Sequence, residues 1–144
     1  ILESCDGERR MKSDEFFKGV MATDRRPNEI LKAIEFPVQK ANVLWAFHEL
    51  SLRHGDFALV GVVATAQRSQ NEVSNLKLVV FGCEERPRVL DIATSIAISE
   101  RSLDEVADKV VERLNPIPDL SGNPETKRIQ ACSLIKRSLL DIYE

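Results

Sequence analysis

The chain has 144 residues, 43% of them hydrophobic and 30% charged, and a formal net charge of −3. This length suits one domain or a piece of a larger one. The slight negative charge disfavours a nucleic-acid binder, which usually has a basic excess, and no apolar run reaches the roughly 18 residues of a membrane helix. Three widely spaced cysteines, Cys5, Cys83 and Cys132, predict free thiols in a reducing compartment, the cytoplasm, and neither a disulfide framework nor a metal site.

The first 41 residues form a segment of short apolar stretches separated by turns, and a linker at Gln39–Asn42 marks the predicted internal boundary. The chain begins at Ile1, within sequence that has the pattern of folded structure. We interpret it as an excised fragment, with a processed start as the alternative.

Three strands are predicted in the middle of the chain, at about Val43–Leu52, Phe57–Arg68 and Val73–Gly82. The first two are joined by the charged turn Ser51–Asp56, and a polar turn follows the second. The second strand is apolar at both odd and even positions, a pattern typical of a central strand that is covered on both faces. These strands predict an antiparallel sheet that needs helices packed on it.

Three helices are predicted after the strands. The first has about ten residues after Arg88, with Ile92, Ala93, Ile96 and Ala97 inward. The second begins at a capping box, Ser102–Glu105, and continues with apolar residues at helical spacing. The third begins at Pro124, with Asn123 as its cap, and runs to about Tyr143. Its predicted inner face comprises Ile129, Cys132, Ile135, Leu139 and Ile142. The predicted fold class is α+β, a three-stranded antiparallel sheet packed by about three helices.

Residue chemistry alone indicates no catalytic apparatus. The glycines are scattered, so no phosphate-binding loop is visible, and no nucleophile motif is present. His48 and His54 lack the acidic or cysteine partners of a metal site. His48 has apolar neighbours, so a satisfied, partly buried histidine is the simpler interpretation. Arg53, His54 and Asp56 form a charged loop that is most simply solvated, with a ligand role as the alternative. A charged outer face of the last helix is predicted from Lys127, Arg128, Lys136 and Arg137.

The order and spacing of several segments resemble the flavoprotein subunits of the molybdenum hydroxylases, the carbon monoxide dehydrogenase and xanthine dehydrogenase family. The matching segments are Arg9–Met11, Asp14–Phe17, Thr23, Pro27–Leu31 and Ile34–Pro37, then Ala46–Ala58, then Phe81–Cys83 with Arg86-Pro87, then Pro118-Asp119 and Glu125–Arg128. Each motif is weak alone, and their combination is fairly specific. The resemblance covers nearly the whole chain.

This resemblance implies that residues 1–41 are the tail of the second FAD-binding subdomain and residues 42–144 the C-terminal flavoprotein subdomain. It implies an FAD-dependent subunit that carries electrons to an external acceptor. The electrons come from two [2Fe–2S] clusters on a small subunit and, before that, from a molybdopterin-binding large subunit that hydroxylates the substrate. In the family most FAD contacts come from glycine-rich loops in the N-terminal half, and those loops are not in this sequence.

The resemblance also implies individual FAD contacts. Leu31 matches a leucine that packs on the flavin ring. His48 matches a basic position, often lysine, beside the isoalloxazine, and a neutral histidine there would alter how a reduced flavin is stabilised. Arg53 and Asp56 belong to a loop that matches a mobile loop near the flavin. No residue is predicted to be catalytic.

Two functional hypotheses remain open at this point. One is the FAD-dependent oxidoreductase subunit. The other is a cofactor-free α+β interaction module, indicated by the absence of ligand motifs and by the apolar central strand. Bound flavin in the longer native chain would discriminate between them. Nucleic-acid binding is disfavoured by the charge and by the lack of a basic aromatic stripe.

Overall fold

The computed structural model describes residues 1–39, 41–69, 72–92, 100–120 and 122–143, with only the backbone at residues 72, 100 and 101. The chain divides into two units, Ile1–Gln39 and Lys40–Glu144. The identity of the first unit as the tail of a second FAD-binding subdomain stays a prediction.

The first unit is built from short elements. They are β1 (Leu2–Ser4), β2 (Gly7–Arg9), α1 (Ser13–Phe16), β3 (Phe17–Gly19), β4 (Ala22–Thr23) and β5 (Ile30–Leu31). One antiparallel sheet has the order β2-β1-β5, and β3 and β4 form a separate antiparallel pair. Strands of two or three residues bury little surface, so other interactions must hold this unit together.

An arginine centre supplies much of that cohesion. The Arg9 guanidinium donates to Glu29 Oε1 at 2.6 Å and to Asp24 Oδ2 at 3.0 Å. Glu29 is only 5% exposed, and its hydrogen bonds from Arg9 lower the pKa of that carboxyl to about 2. Lys32 pairs with Glu3 at 3.1 Å and also with Glu8.

The second unit contains β6 (Val43–Ser51), β7 (Ala58–Ser69), β8 (Glu72–Phe81), β9 (Arg88–Ile92), α2 (Glu100–Glu112) and α3 (Pro124–Tyr143). The strands form one antiparallel sheet in the order β6-β7-β8-β9. The α+β class is confirmed. The three predicted strands are confirmed with ends within one residue, and β7 pairs Ser69 with Glu72 across the predicted polar turn.

The sheet has four strands, so the predicted three-stranded sheet is wrong in this detail. Residues 89–92 were predicted to start a helix, but they belong to β9 and pair with β8, with Leu78 opposite Leu90 and Val79 opposite Val89. Leu90 is buried while Val89 and Asp91 are exposed, which is the alternation of a strand at a sheet edge. The rest of that predicted helix, residues 93–99, lies outside the described residues.

The two long helices form where the sequence predicted them, but the start of α2 and one inward residue of α3 differ from the prediction. α2 begins at Glu100, so the predicted capping box at Ser102 lies inside the helix. α3 begins at Pro124 as predicted, and Asn123 Oδ1 accepts a hydrogen bond from Thr126 N at 2.8 Å, which is a side-chain cap. Ile129 is 62% exposed, so its predicted inward position is wrong.

The core of the second unit lies between one face of the sheet and the two helices. The sheet contributes Ala46, Val60, Val62, Ala64, Ala66, Leu76, Leu78, Val80 and Leu90, and the helical side contributes Leu103, Ala107, Val110, Leu114, Ala131, Leu134, Ile135, Leu139 and Ile142. The buried β7 residues are almost all at even positions, because odd positions point to the other face. At odd positions Val63 and Thr65 are only partly buried, so the complete cover of both faces that the sequence predicted for β7 is not seen among the described residues. Within the described ranges, no helix combines the length and apolarity needed to cross a membrane.

Candidate functional site

Among the described residues of the second unit, the helices cover one side of the four-stranded sheet, and the other side carries a row of apolar residues. Phe47, Val63, Val79 and Val89 are paired in register across β6, β7, β8 and β9. We call this side the open face and define it by Trp45, Phe47, Val63, Val79, Phe81 and Val89. Trp45 is 64% exposed, Phe47 48% and Val89 55%. Such clustered apolar exposure on a folded domain marks a contact surface more often than chance.

An aromatic pair organises one end of the open face. The rings of Phe47 and Phe81 stack with centroids 6.3 Å apart and an interplanar angle of 23°. The Phe81 ring lies directly over Gly61, where an added Cβ would stand 2.0 Å from its Cζ atom. A glycine inside a strand commonly marks such a close approach. Gly61 therefore leaves room for the outer end of the Phe81 ring beside Phe47.

The sequence already contained part of this signal. Trp45 and Phe47 share the parity opposite to the buried Ala46, and Gly61 interrupts an apolar strand. Periodicity alone cannot tell which parity the helices cover, so the open face was not predicted.

The turn between β6 and β7 is held by its own backbone and short side chains. Ser51 Oγ donates to Arg53 O at 2.9 Å, and Asp56 N donates to the same oxygen at 3.1 Å. Asp56 Oδ1 accepts from Phe57 N at 2.8 Å. Gly55 has φ +81°, a conformation that favours glycine. The turn exposes the predicted site residues Arg53 and Asp56 together, next to a Phe57 side chain that is 93% exposed.

His48 lies on the helix-covered face of the sheet. Its Nε2 is 2.7 Å from Asp141 Oδ2 on α3, and its side chain is 19% exposed. Because strand residues alternate, His48 points away from Trp45 and Phe47. His48 Nε2 can donate a hydrogen bond to the Asp141 carboxylate, which ties β6 to α3.

Leu31 lies in β5 of the first unit and is 47% exposed. It is opposite Leu2 in the β1–β5 register. Of the four predicted FAD contacts, the structure brings Arg53 and Asp56 into one turn and puts His48 on the strand before it, and Leu31 belongs to the other unit. Their roles toward a cofactor stay predictions.

A buried polar cluster lies where α3 begins. Lys127 is fully buried, and its Nζ donates to Gly82 O at 3.0 Å and to Asp119 Oδ2 at 2.5 Å. Cys83 is also fully buried, and burial raises the pKa of its thiol to about 11. Lys127 was predicted on the solvated outer face of α3, and that prediction is wrong. Lys127 lies four and eight residues before Ala131 and Ile135, which puts it on the same buried face of α3. The positive charge of lysine favoured the opposite, solvated face in the prediction.

Metal ligands are not assembled in the part of the chain that the structure describes. No group of three or more His, Cys, Asp or Glu side chains there could hold a metal ion. Cys5, Cys83 and Cys132 are free thiols.

Comparison with known proteins matches this sheet-and-helix unit to one family. The family model of the CO dehydrogenase flavoprotein C-terminal domain matches residues 45–142. The chain is 29% identical over 132 residues to the glyceraldehyde dehydrogenase medium chain of Sulfolobus acidocaldarius, covering 89% of this chain and 47% of that protein. It is 26% identical over 147 residues to the carbon monoxide dehydrogenase medium chain of Hydrogenophaga pseudoflava, covering 96% and 50%. The chain thus spans about half the length of these relatives.

Solved structures show the same fold over both units. A carbon monoxide dehydrogenase from Hydrogenophaga pseudoflava, which lacks the Mo-pyranopterin moiety of its molybdenum cofactor, aligns with a TM-score of 0.84 at 26% identity, over 99% of this chain and 51% of that one. Quinoline 2-oxidoreductase from Pseudomonas putida 86 aligns with a TM-score of 0.87 at 24% identity, over 99% and 50%. Since the family model covers more than half of the sequence, the chain belongs to the CO dehydrogenase flavoprotein C-terminal domain family.

Proposed function

We propose that this chain is part of the FAD-binding subunit of a molybdenum-dependent hydroxylase. In this role the subunit carries electrons from iron–sulfur clusters through FAD to an external acceptor. The proposal is supported by the family match and by the medium chains of carbon monoxide and glyceraldehyde dehydrogenases among the relatives. The partners that it implies are a molybdopterin-binding large subunit and a small subunit with two [2Fe–2S] clusters. The free cysteines are consistent with a cytoplasmic location.

The open face is the observation that carries this proposal. A flavin has a flat ring system, and exposed aromatic side chains on one face of a sheet can bind such a ring through offset stacking and apolar contact. Trp45 is more than half exposed, and Phe47 stacks beside Phe81. The residues present therefore fit the ring of the cofactor.

The same residues do not fit the diphosphate of FAD. Nucleotide phosphates are often bound by a glycine-rich loop at a helix N-terminus, and no two of the six glycines of this sequence are closer than six residues. We therefore propose that the diphosphate is held by a part of the subunit outside this chain, which spans about half the length of its relatives. In this proposal the chain contributes contacts to the flavin ring, and another part of the subunit contributes the contacts to the diphosphate.

The chemistry divides between cofactor and protein. When bound, FAD supplies the redox step, which the apolar and aromatic side chains of the open face cannot perform. We assign to Trp45 and Phe47 the tasks of contacting the ring and excluding water. Leu31 remains a proposed apolar contact, and Arg53 and Asp56 remain proposed polar contacts. A ring on the open face would not reach His48, which lies on the other face of the sheet and bonds to Asp141, so the contact implied for His48 belongs to a different placement of the flavin.

The test is a visible absorption spectrum of the full-length native protein, purified with its encoded neighbours. We expect a flavin band, together with iron–sulfur absorbance from a co-purifying subunit. In the same preparation Phe47→Ala should weaken flavin binding by roughly two- to tenfold, the usual value of one aromatic contact. Ile129→Ala, a similar truncation at an exposed site on α3, is the matched control and should leave flavin affinity unchanged. A folded protein that stays colourless after FAD is added would contradict the proposal.

The second candidate function is a cofactor-free docking module. The apolar open face and the exposed Leu52 and Phe57 at the β6–β7 turn favour it, because both could bind a protein partner. It predicts that the full-length protein is colourless, and that Phe57→Ala weakens a complex with its encoded neighbours without any flavin being present. Stoichiometric flavin in the native protein would exclude it.

A further inference from the structure

The buried Lys127 cluster joins three separate parts of the second unit. Lys127 lies in the first turn of α3, Gly82 follows the end of β8, and Asp119 lies in the segment before α3. Lys127 Nζ bonds to the Gly82 carbonyl at 3.0 Å and to the Asp119 carboxylate at 2.5 Å. The Asp119 side chain is 47% exposed, and that of Lys127 is fully buried. A buried cation is costly unless it is paired, so this geometry is specific and not a loose surface contact.

The turn at Gly82 is fixed from several sides. Gly82 has φ +81°, and an added Cβ would stand 2.4 Å from Leu59 O on β7. Directly after it, Cys83 O accepts a hydrogen bond from Ile117 N at 2.9 Å. Lys127 holds the carbonyl between these two points. The backbone at residues 82 and 83 therefore has little freedom to shift.

This fixed turn is adjacent to the aromatic pair on the opposite face of the sheet. Phe81 precedes Gly82, and its ring rests on Gly61 and stacks on Phe47. Gly61 has no side chain that could support the Phe81 ring from below. The distance of this ring from the sheet therefore depends on the backbone at the end of β8. A shift of the Gly82 carbonyl would move the Phe81 backbone and, with it, the stacked pair.

We propose that Lys127 is a positioning residue for the open face, and that it sets the Phe47–Phe81 pair through the Gly82 carbonyl. This inference rests on the proposed function, because the pair matters for activity only if the open face contacts the flavin. The side chain of Lys127 lies on the core side of the sheet, where it bonds to Gly82 and Asp119 and not to the residues of the open face. Its effect passes through the sheet, from the core side to the open side.

The test is a double-mutant cycle in the full-length flavoprotein with its partner subunits. Lys127→Met keeps the length of the side chain and removes both hydrogen bonds. We expect it to weaken flavin binding by roughly fivefold, within the coupling usual for contacting residues, and to change the visible circular dichroism of the bound flavin. In a Phe81→Leu background the same Lys127→Met change should have little further effect on either readout. A purely structural role for Lys127 predicts equal losses in both backgrounds.

Two further variants keep the test decisive if Lys127→Met folds poorly. Asp119→Asn leaves the Gly82 contact in place and removes only the charge partner, so it should give a smaller change in the same direction. Lys136→Met is the matched control, since Lys136 is also on α3 and pairs with Asp104 at 3.0 Å but is 36% exposed. It should leave flavin affinity and circular dichroism unchanged.

The outcomes separate the two proposals. A wild-type protein without flavin would overturn the proposed function and this inference together. A wild-type protein with flavin, in which Lys127→Met is stable and binds flavin with unchanged affinity and dichroism, would overturn only the positioning role. Additive losses in the double-mutant cycle would do the same.

Discussion

The two units of this chain hold together by opposite means. In Ile1–Gln39 Leu2 is buried at 1% exposure, and the tightest contacts are ion pairs around Arg9 and Lys32. In Lys40–Glu144 the core is a continuous apolar layer between a sheet and two helices. The second unit has strands long enough to form a covered sheet, and there apolar burial dominates. In the first unit the pair that should matter most is Arg9–Glu29, whose carboxylate is buried, because exposed pairs contribute little. The first unit should therefore respond to pH, and the second to core truncation.

The largest effect is expected from a cavity in the second unit. Leu78 is fully buried, opposite Ala64 and Leu90 in the sheet. Leu78→Ala should lower the free energy of unfolding by about 2–5 kcal/mol, because the surrounding sheet cannot collapse onto the lost volume. Chemical denaturation monitored by circular dichroism measures it.

Ile129→Ala is the matched control for this change. It removes a similar side chain from a position that is 62% exposed, so the free energy of unfolding should change by less than about 0.5 kcal/mol. Equal losses for the two variants would contradict the assignment of the sheet–helix layer as the core.

A medium effect is expected from filling the space under Phe81. Gly61→Ala would bring a Cβ within 2.0 Å of the Phe81 ring, so the ring must leave the sheet and lose its stacking on Phe47. We expect a loss of about 1–3 kcal/mol in unfolding free energy. In a Phe81→Ala background the clash disappears, so Gly61→Ala should then cost much less. A cost that is unchanged in that background would show that Phe81 does not need Gly61.

The smallest effect on global stability, and the most specific one, is expected in the first unit. The pKa of Glu29 is lowered from 4.5 to about 2 by its hydrogen bonds from Arg9. A lowered folded pKa stabilises the fold at pH values above 4.5, and this contribution disappears as the pH falls from 4.5 towards 2. Arg9→Gln should raise the Glu29 pKa and move its titration to higher pH, which carboxyl chemical shifts measured by NMR would follow.

Arg10→Gln is the control for the Glu29 titration. Arg10 pairs with Glu35, but both side chains are more than 60% exposed, and exposed pairs contribute little. The Glu29 titration should therefore be unchanged in this variant. If Arg9→Gln left the Glu29 pKa unchanged, the conclusion that Arg9 stabilises the Glu29 carboxylate in the first unit would be contradicted.

The sequence predicted the elements of the second unit well and their environments less well. Alternation located β6, β7 and β8, and Asn123 with Pro124 located the start of α3, because these signals are local. Residues 89–92 were mispredicted as the start of a helix because a short apolar stretch fits a helix and a strand equally well. Pairing with β8 makes them a strand. The burial of Lys127 was not predicted because a lysine is rarely fully buried. Its hydrogen bonds to Gly82 and Asp119 compensate for the loss of water around its charge.

The candidate site was harder to predict than the fold. Resemblance identified a flavoprotein and pointed to Leu31, His48, Arg53 and Asp56, whose cofactor roles stay predictions. The open face was missed because it depends on which side of the sheet the helices cover, a tertiary fact that no local pattern records. His48 illustrates this limit, since its strand was predicted correctly while its contact with Asp141 lies 93 residues away in sequence.

The sequential order β6-β7-β8-β9 also bears on how the second unit folds. Each strand pairs with its neighbour in the chain, so the sheet forms through local contacts and can assemble quickly. α3 reaches back to β6 and β7 across a long stretch of sequence, as in the contact between Arg68 and Ile142, 74 residues apart. During synthesis the core face of the sheet therefore lacks α3 until that helix emerges. In that interval the apolar residues of this face are exposed to aggregation, and a chaperone that binds them would protect the sheet.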